Sequence, residues 1–317
     1  MKKVKQITIL FIGLLIIMYF LGCKQKNDSF QDLNGNAVIT DETNAISNEI
    51  GTINEIAQQY PTESIENIST PTPDLRTLPT KWMEYPIVPQ LTNNAISIYK
   101  TGITKGVNPK TFSKIGDCQN IKEAFLGIYD TNRYYLIGED LILQETIDNF
   151  KGFFNRDGES IEQGLNVAAS LSPLQANPDV CGASESPLDC ELRIVNPIFA
   201  FVSFERWWPN ETPIEVYKKY LRLVIEKTIE RGTIPILVTK ADNIEGKHQI
   251  NQIIANLAFE YDIPIYNWWK AAQLLPHRGM DPERNDGFHI STDAWDSRSY
   301  YGLKTLNSLL KGLENIK

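Results

Sequence analysis

Three side chains of this sequence have the types and spacing of a nucleophile with its base. Cys118 directly follows Gly116-Asp117 and is one of four cysteines in 317 residues. His289, one of three histidines, stands three residues after Asp286. At that spacing the carboxylate can hold one ring nitrogen of the imidazole and leave the other free to take a proton. A thiol beside such an imidazole is suited to nucleophilic chemistry.

Each of these residues also has a structural interpretation, and both interpretations remain open. Free cysteine packs as a small hydrophobe, so Cys118 is either the nucleophile or a buried residue at a tight turn. Asp117 is a possible substrate contact and also a candidate cap for a helix that begins at Cys118, whose backbone N–H groups would favour the thiolate. His289 is either the base or a hydrogen-bonded structural histidine, and the nearby Asp286 favours the base.

The first 23 residues are typical of an export signal. The basic segment MKKVKQ precedes an apolar run of sixteen residues that ends at Gly22, directly before Cys23. The run is short for a bilayer span, which needs about 20 apolar residues. Leu21-Gly22-Cys23 resembles the lipobox of bacterial lipoproteins, in which Cys23 becomes the lipidated first residue, and an uncleaved signal anchor is the competing interpretation. Both place the rest of the chain outside the cytoplasm, tethered to a membrane.

Export changes what the remaining cysteines are expected to do. With Cys23 assigned to the signal, an oxidising compartment favours pairing two of Cys118, Cys181 and Cys190. Cys181 and Cys190 are nine residues apart in a polar, turn-rich loop that a disulfide would stiffen. The sequence therefore predicts a Cys181–Cys190 disulfide and an unpaired Cys118.

Composition divides the exported chain into a linker, residues 24–80, and one folded domain, residues 81–317. The linker is rich in Asn, Ser, Thr, Pro and acidic residues and shows little apolar periodicity, which predicts a flexible spacer. The domain alternates continuous apolar runs with amphipathic patterns, which predicts a parallel sheet covered by helices on both faces. We expect strands in residues 112–117, 160–164, 197–204, 233–239 and 263–268, and helices in residues 141–150, 214–231, 248–261 and 300–313.

Ligands of open parallel sheets bind beyond the carboxyl ends of the strands. That edge would collect Cys118, Gly164 and the loops that follow Phe204, Thr239 and Trp268. Asp242 and Asn243 are either polar contacts there or turn formers. The tryptophan doublets at 207–208 and 268–269 are either flat platforms for sugar rings or acyl groups, or core residues.

The two motifs together resemble the SGNH, or GDSL-like, hydrolases, which begin with Gly-Asp-Ser after the first strand and end with Asp-x-x-His. The resemblance covers about residues 110–315 and implies a flavodoxin-like three-layer α/β/α sandwich with a mostly parallel sheet. It implies an esterase or acyl hydrolase that needs no cofactor, acting on a small-molecule or glycan ester. By this resemblance Cys118 is the nucleophile, His289 the base and Asp286 its orienting group. The backbone N–H groups of Cys118 and Gly164 would stabilise the oxyanion.

The sequence departs from that family in two places. Cysteine replaces the serine, and the stretch SFERWWPN, residues 203–210, lacks the family's Gly-x-Asn-Asp block. Losing one oxyanion donor costs roughly 10²- to 10³-fold in rate. Arg206, Trp207 and Asn210 are candidate replacements or substrate contacts. The alternative is a catalytically inactive lipoprotein that binds a glycan or another ligand through the same cleft.

Other classes of partner are not indicated by the sequence. The net charge of −8, with no basic stripe beyond the N-terminus, argues against nucleic acid. His248, His277 and His289 are scattered, so we expect no metal site, and we expect the first two at the surface. No phosphate-binding or dinucleotide motif is present, and the sequence does not indicate an oligomeric state.

Overall fold

A four-stranded, all-parallel sheet, with strand order β1-β2-β3-β4, forms the centre of the protein. The computed structural model describes residues 78–204, 213–284 and 286–316. The strands are β1 Asn108–Gly116, β2 Pro197–Ser203, β3 Ile234–Val238 and β4 Ile265–Tyr266. The helices are α1 Asn93–Thr104, α2 Leu143–Asn149, α3 Pro187–Val195, α4 Ile214–Arg231, α5 Gln249–Glu260, α6 Trp268–Ala272 and α7 Thr292–Glu314.

Helices cover both faces of the sheet. Every residue of β2 and β3 is buried, although successive side chains of a strand point to opposite faces. The core includes Phe112, Phe199 and Phe201 from the first two strands. The predicted mixed α/β fold with a mostly parallel sheet is confirmed.

The register of β1 with β2 brings two strand ends to the same level. Gly116, the last residue of β1, pairs with Ser203, the last residue of β2. On the other edge of β1, Ile161 forms an isolated parallel bridge with Gly116. The sequence predicted a full strand over residues 160–164, and this single bridge is what the structure contains. Gly164 follows in a turn, so the backbone leaves the sheet before a ladder can form.

Several elements differ from the sequence-based expectations. Where a helix was expected to begin at Cys118, there is only the three-residue 3₁₀ turn Cys118–Asn120. Part of the loop expected around the disulfide is α3, which begins at a capping box: the Ser186 side chain and Asp189 each bond the other's backbone N–H. The closing helix was predicted over residues 300–313, but it begins at Thr292 because Ser291 caps it through the N–H of Ala294.

Helix α4 shows where the sequence signal was sufficient. Its apolar residues recur at helical spacing, and its predicted bounds, Ile214–Arg231, are those of the structure. Gly232 ends it in the left-handed conformation, with φ of 85°, as its position after the last apolar residue indicated.

The predicted disulfide between Cys181 and Cys190 is present, with the two Cα atoms 5.4 Å apart. Within the described residues, Cys118 forms no disulfide. Cys23, the export signal and nearly all of the predicted linker lie outside the described residues, so these remain predictions. Within the described residues, no helix has the length and apolar character needed to cross a bilayer.

Candidate active site

The loop that follows β1 places Cys118 at the carboxyl edge of the sheet. Asp117 caps the short 3₁₀ turn, because its carboxylate accepts a hydrogen bond from the N–H of Gln119 at 3.1 Å. The N–H of Asn120 closes the turn on the Asp117 carbonyl at 3.0 Å. Asp117 is fully buried, which supports the capping role over a direct substrate contact. Cys118 itself is only half-buried.

Glycine is required at the last position of β1. A Cβ at Gly116 would lie 1.7 Å from the carbonyl oxygen of Ser203 on β2 and 2.4 Å from Nδ2 of Asn120. That amide nitrogen donates to the same Ser203 carbonyl at 2.9 Å. The close approach of the two backbones therefore fixes the position from which the cysteine turn departs.

Asp286 makes three hydrogen bonds with the segment Phe288-His289. The imidazole Nδ1 lies 2.6 Å from Oδ2 of Asp286, and Oδ1 accepts the N–H groups of Phe288 at 2.9 Å and His289 at 3.1 Å. Partial burial alone would raise the pKa of Asp286. The two backbone N–H groups and the imidazole outweigh it and hold the pKa at about 2. The carboxylate is therefore ionised at any pH where the protein would act.

A short antiparallel loop positions this pair. The N–H of Ser291 donates to the Gly279 carbonyl at 2.9 Å, and Met280 forms a bridge with Ile290. The N–H of Asp281 donates to the carbonyl of His289 at 3.0 Å. Because α7 starts directly after Ser291, the loop is anchored to the longest helix of the described chain.

The thiol and the imidazole meet. Sγ of Cys118 lies 3.9 Å from Nε2 of His289, the ring nitrogen that Asp286 leaves free. The side chain of His289 is 13% exposed, so the pair is sheltered but reachable from solvent. The distance is long for a hydrogen bond to sulfur, and catalytic contacts commonly tighten only when substrate binds. Of the predicted site residues, Cys118, His289 and Asp286 are those that the structure brings together.

Two residues that the sequence analysis did not single out connect the halves of this site. Nε2 of Gln119 donates to the carbonyl of Phe288 at 3.3 Å, which ties the cysteine turn to the histidine loop. Arg298, fully buried on α7, donates to the carbonyl of Gln119. Its Nη2 also reaches Oδ1 of Asn120 at 3.1 Å and Oγ of Ser203 at 2.8 Å. A lone arginine in an amphipathic helix carries no signal of such a role.

Gly164 lies in the exposed turn that follows the Ile161 bridge, with a φ of 78° that favours glycine. Among the described residues, none accepts a hydrogen bond from its N–H. The adjoining Glu162 donates its N–H to the Gly116 carbonyl at 3.4 Å, so this turn is connected to the end of β1.

Asp242 and Asn243 make their hydrogen bonds within their own loop. Asp242 pairs with the buried Lys240 at 2.8 Å and accepts the N–H of Ile244, while Asn243 accepts the N–H of His248 at 2.6 Å. Burial raises the pKa of Asp242 to about 6 despite the ammonium group beside it. These contacts support the turn-forming interpretation. The other predicted contacts, Arg206, Trp207 and Asn210, lie outside the described residues.

The second tryptophan doublet belongs to the core rather than to a cleft. Trp268 is fully buried. Trp269 packs edge-on against Trp82 and His248, with ring centroids 5.0 and 5.6 Å apart. His248 is thus half-buried, not a surface residue as expected, whereas His277 is exposed. Within the described ranges, no three His, Cys, Asp or Glu side chains are grouped to hold a metal ion.

The chain is similar to several solved structures whose names describe lipases, esterases or acylhydrolases. The lipase/acylhydrolase from Enterococcus faecalis aligns with a TM-score of 0.42 and 13% identity, over 62% of this chain and 95% of that chain. The esterase EstA from Pseudoalteromonas sp. gives 0.40 and 11%, over 62% and 96%. A GDSL-like lipase from Bacteroides thetaiotaomicron gives 0.40 and 10%, over 67% and 98%. No family model and no curated protein matches the sequence. These similarities concern the fold alone.

Proposed function

We propose that the protein is an esterase, or acyl hydrolase, that works through a Cys-His-Asp arrangement. The observation that carries this proposal is the 3.9 Å approach of Sγ of Cys118 to Nε2 of His289, with Asp286 held at 2.6 Å on the opposite ring nitrogen. A histidine oriented by a carboxylate and facing a half-buried thiol is the arrangement that activates a cysteine nucleophile.

In the first half of the reaction, Nε2 of His289 takes the thiol proton and the thiolate attacks the ester carbonyl carbon. Asp286, ionised above a pKa of about 2, stabilises the imidazolium that forms. The tetrahedral intermediate collapses as His289 returns the proton to the leaving alcohol, which yields a thioester on Cys118. In the second half, His289 takes a proton from water as the water oxygen attacks the thioester carbonyl carbon. The second tetrahedral intermediate collapses with cleavage of its carbon–sulfur bond, His289 returns the proton to the sulfur, and the carboxylic acid leaves while the Cys118 thiol is regenerated.

Charge that develops on the carbonyl oxygen requires backbone donors. We assign this role to the N–H groups of Cys118 and Gly164. The exposed, left-handed turn at Gly164, with an N–H that no described residue accepts, supports the assignment. Arg206, Trp207 and Asn210 are the candidates for a third donor or for substrate contacts, because their segment follows Ser203, the β2 residue paired with Gly116.

We also propose that the enzyme acts outside the cytoplasm, tethered to a membrane through its N-terminal segment. The Cys181–Cys190 disulfide supports this location, because such bonds persist in oxidising compartments. An ester on a cell-envelope or extracellular glycan is the substrate we propose for such an enzyme.

Turnover of p-nitrophenyl acetate by matched variants tests the site. We expect Cys118→Ala and His289→Ala each to reduce turnover by roughly 10³-fold or more, since members of such a unit act together. His277→Ala, an exposed histidine outside the site, should retain full activity and serves as the control.

Alkylation by iodoacetamide provides a second readout. The wild-type protein should be labelled at Cys118, and His289→Ala should slow the labelling because the thiolate loses its partner. Turnover that survives both substitutions would show that another site is responsible. A wild-type protein that turns over no ester, while still folding, would favour the catalytically inactive ligand-binding lipoprotein.

A further inference from the structure

A polar groove lies along the outer edge of β1, where Ile161 forms its bridge with Gly116. It has a volume of about 260 Å³. It borders the candidate active site because two of its lining residues contact the end of β1: Ile161 bridges Gly116, and the N–H of Glu162 donates to the Gly116 carbonyl. The lining residues are Gly158, Glu159, Ile161, Glu162, Gln175, Ala176 and Asn177.

One wall of the groove, residues 158–162, is fixed by a buried carboxylate on α3. Oε2 of Glu191 accepts the N–H of Glu159 at 2.9 Å. A Cβ at Gly158 would lie 2.5 Å from the same oxygen, so glycine is needed for the wall to pack against Glu191. Arg156 pairs with both oxygens of Glu191, at 2.6 and 3.0 Å, which occupies its guanidinium outside the groove.

The facing wall, residues 175–177, is fixed through Cys190 of helix α3. Cys190, next to Glu191 on α3, forms the disulfide with Cys181. The N–H of Cys181 donates to the carbonyl of Asn177 at 2.8 Å, which ties the disulfide to the wall. Both walls are therefore attached to consecutive residues of α3, and the groove is preorganised rather than formed by a loose loop.

The lining groups indicate a hydroxylated ligand. The side chains of Glu159 and Glu162 line the groove, and their carboxylate oxygens accept no hydrogen bond from the described residues. Arg156 acts on Glu159 through its charge and directs its own hydrogen bonds to Glu191. Gln175 offers a side-chain amide, and Asn177, whose oxygen accepts the N–H of Asp179 at 3.1 Å, retains its NH₂ as a donor. No lysine or arginine lines the groove, which disfavours phosphates and carboxylates, and the polar lining disfavours alkyl chains.

We infer that this groove binds the alcohol side of the ester, and that this alcohol is a sugar or a similar neutral polyol. The inference rests on the proposed esterase activity. Substrates with a sugar leaving group would use hydrogen bonds to the groove, whereas the acyl group occupies the region of Cys118 and His289.

Comparison of two acetyl esters tests the groove separately from the catalytic residues. The substrates are methyl 6-O-acetyl-β-D-glucopyranoside and ethyl acetate, with acetate release as the assay. We expect Glu162→Ala to lower kcat/KM for the glucoside roughly 3- to 10-fold, the value of one hydrogen bond, and the double substitution with Glu159→Ala to lower it further. Ethyl acetate hydrolysis should not change. Glu215→Ala, an exposed acid on α4, is the matched control.

Two further variants test separately the charge of Glu162 and the position of the groove wall that the disulfide fixes. Glu162→Gln should keep most of the activity on the glucoside, because an amide oxygen still accepts a hydroxyl. Replacing Cys181 and Cys190 together by serine should raise KM for the glucoside without changing kcat for ethyl acetate. A loss in Glu162→Gln equal to that in Glu162→Ala, with acetylcholine as the better substrate, would indicate a cationic alcohol and overturn the inference.

Equal losses on both esters, or no loss on either, would likewise overturn it. If the wild-type protein hydrolyses no ester, the proposed function fails but the groove can still be tested. Saturation-transfer NMR with methyl β-D-glucopyranoside on Cys118→Ala should show binding that Glu162→Ala weakens. No binding in that experiment would remove the groove as a sugar site.

Discussion

Replacing Arg298 should test whether the site depends on a buried residue that positions the cysteine turn. Its guanidinium holds the Gln119 carbonyl, Asn120 and Ser203, while its own helix carries the histidine loop. Its guanidinium carbon also lies 4.4 Å from the ring centre of Phe125. We predict that Arg298→Met loosens the connection between Cys118 and the rest of the site.

The size of the effect follows from burial. Arg298 is 0% exposed, so its removal leaves three acceptors without this donor in the interior. Each stranded polar group costs about 1–3 kcal/mol. Removing a buried charge recovers part of that cost, so we expect a net loss of about 3–5 kcal/mol in the free energy of unfolding. For a domain of this size the corresponding fall in Tm is roughly 6–20 °C.

Chemical and thermal unfolding measure this loss, and Arg222→Met is the matched control. Arg222 also bonds a carboxylate and a tyrosine, Glu260 and Tyr261, but its side chain is 31% exposed. Its replacement should cost less than about 1 kcal/mol. The loss in the free energy of unfolding for Arg298→Lys should lie between those of the two methionine variants. An ammonium group keeps the charge but cannot bond several acceptors at once as the planar guanidinium does.

The rate of Cys118 alkylation at a temperature where both variants are folded provides the functional readout. A displacement of about 1 Å between reacting groups is enough for a loss of roughly 10²-fold in turnover. Arg298→Met could instead unfold at the same denaturant concentration as Arg222→Met, with Cys118 alkylated at the wild-type rate. That result would show that Arg298 does not hold the cysteine turn in place.

Three other substitutions have defined outcomes. Gly116→Ala should lower Tm by several degrees, because its Cβ would lie 1.7 Å from the Ser203 carbonyl oxygen. A Tm measured by calorimetry within one degree of the wild-type value would contradict the required close approach. Lys114→Met should remove a pH dependence of stability. Burial lowers the pKa of Lys114 to about 7, whereas the unfolded chain keeps its proton up to about 10.5, so the unfolded state binds more protons between those values. Wild-type stability should therefore gain up to about 1.4 kcal/mol per pH unit from this lysine as pH rises from 7 to 10, and urea midpoints with the same pH slope in both proteins would refute this. Asp286→Asn should fold normally but lower kcat by roughly 10²- to 10⁴-fold, since the amide can stabilise the wrong ring tautomer of His289, and kinetics with unchanged kcat would show that the carboxylate is not the orienting group.

The sequence was informative wherever a local pattern determines a local structure. The apolar spacing in α4 and its terminal Gly232 defined that helix to the residue. The continuous apolar runs identified β2 and β3 and, through them, the parallel sheet. Cys118 and His289 were found because cysteine and histidine are rare in this chain, and Asp286 was found through its spacing of three residues from His289.

What the sequence did not reveal depends on contacts between distant positions. The fork of Arg298 joins residues up to 179 positions apart, and no pattern around an isolated arginine indicates such partners. The strand expected at residues 160–164 became one bridge because its partner, β1, ends at Gly116. Helix α3 was not predicted, although Ser186 and Asp189 form a recognisable capping box. The polar, turn-rich sequence around the two cysteines is typical of a loop.

The two reacting atoms of the site are separated by 171 positions along the chain, with the thiol made first. During synthesis, Cys118 therefore exists without the imidazole of His289 beside it until the segment that ends in α7 has been made and has docked. Over that interval the thiol lacks the base that would activate it, at the same time as Cys181 and Cys190 must find each other. The reactivity proposed for Cys118 can therefore appear only after Cys181 and Cys190 are both present in the chain.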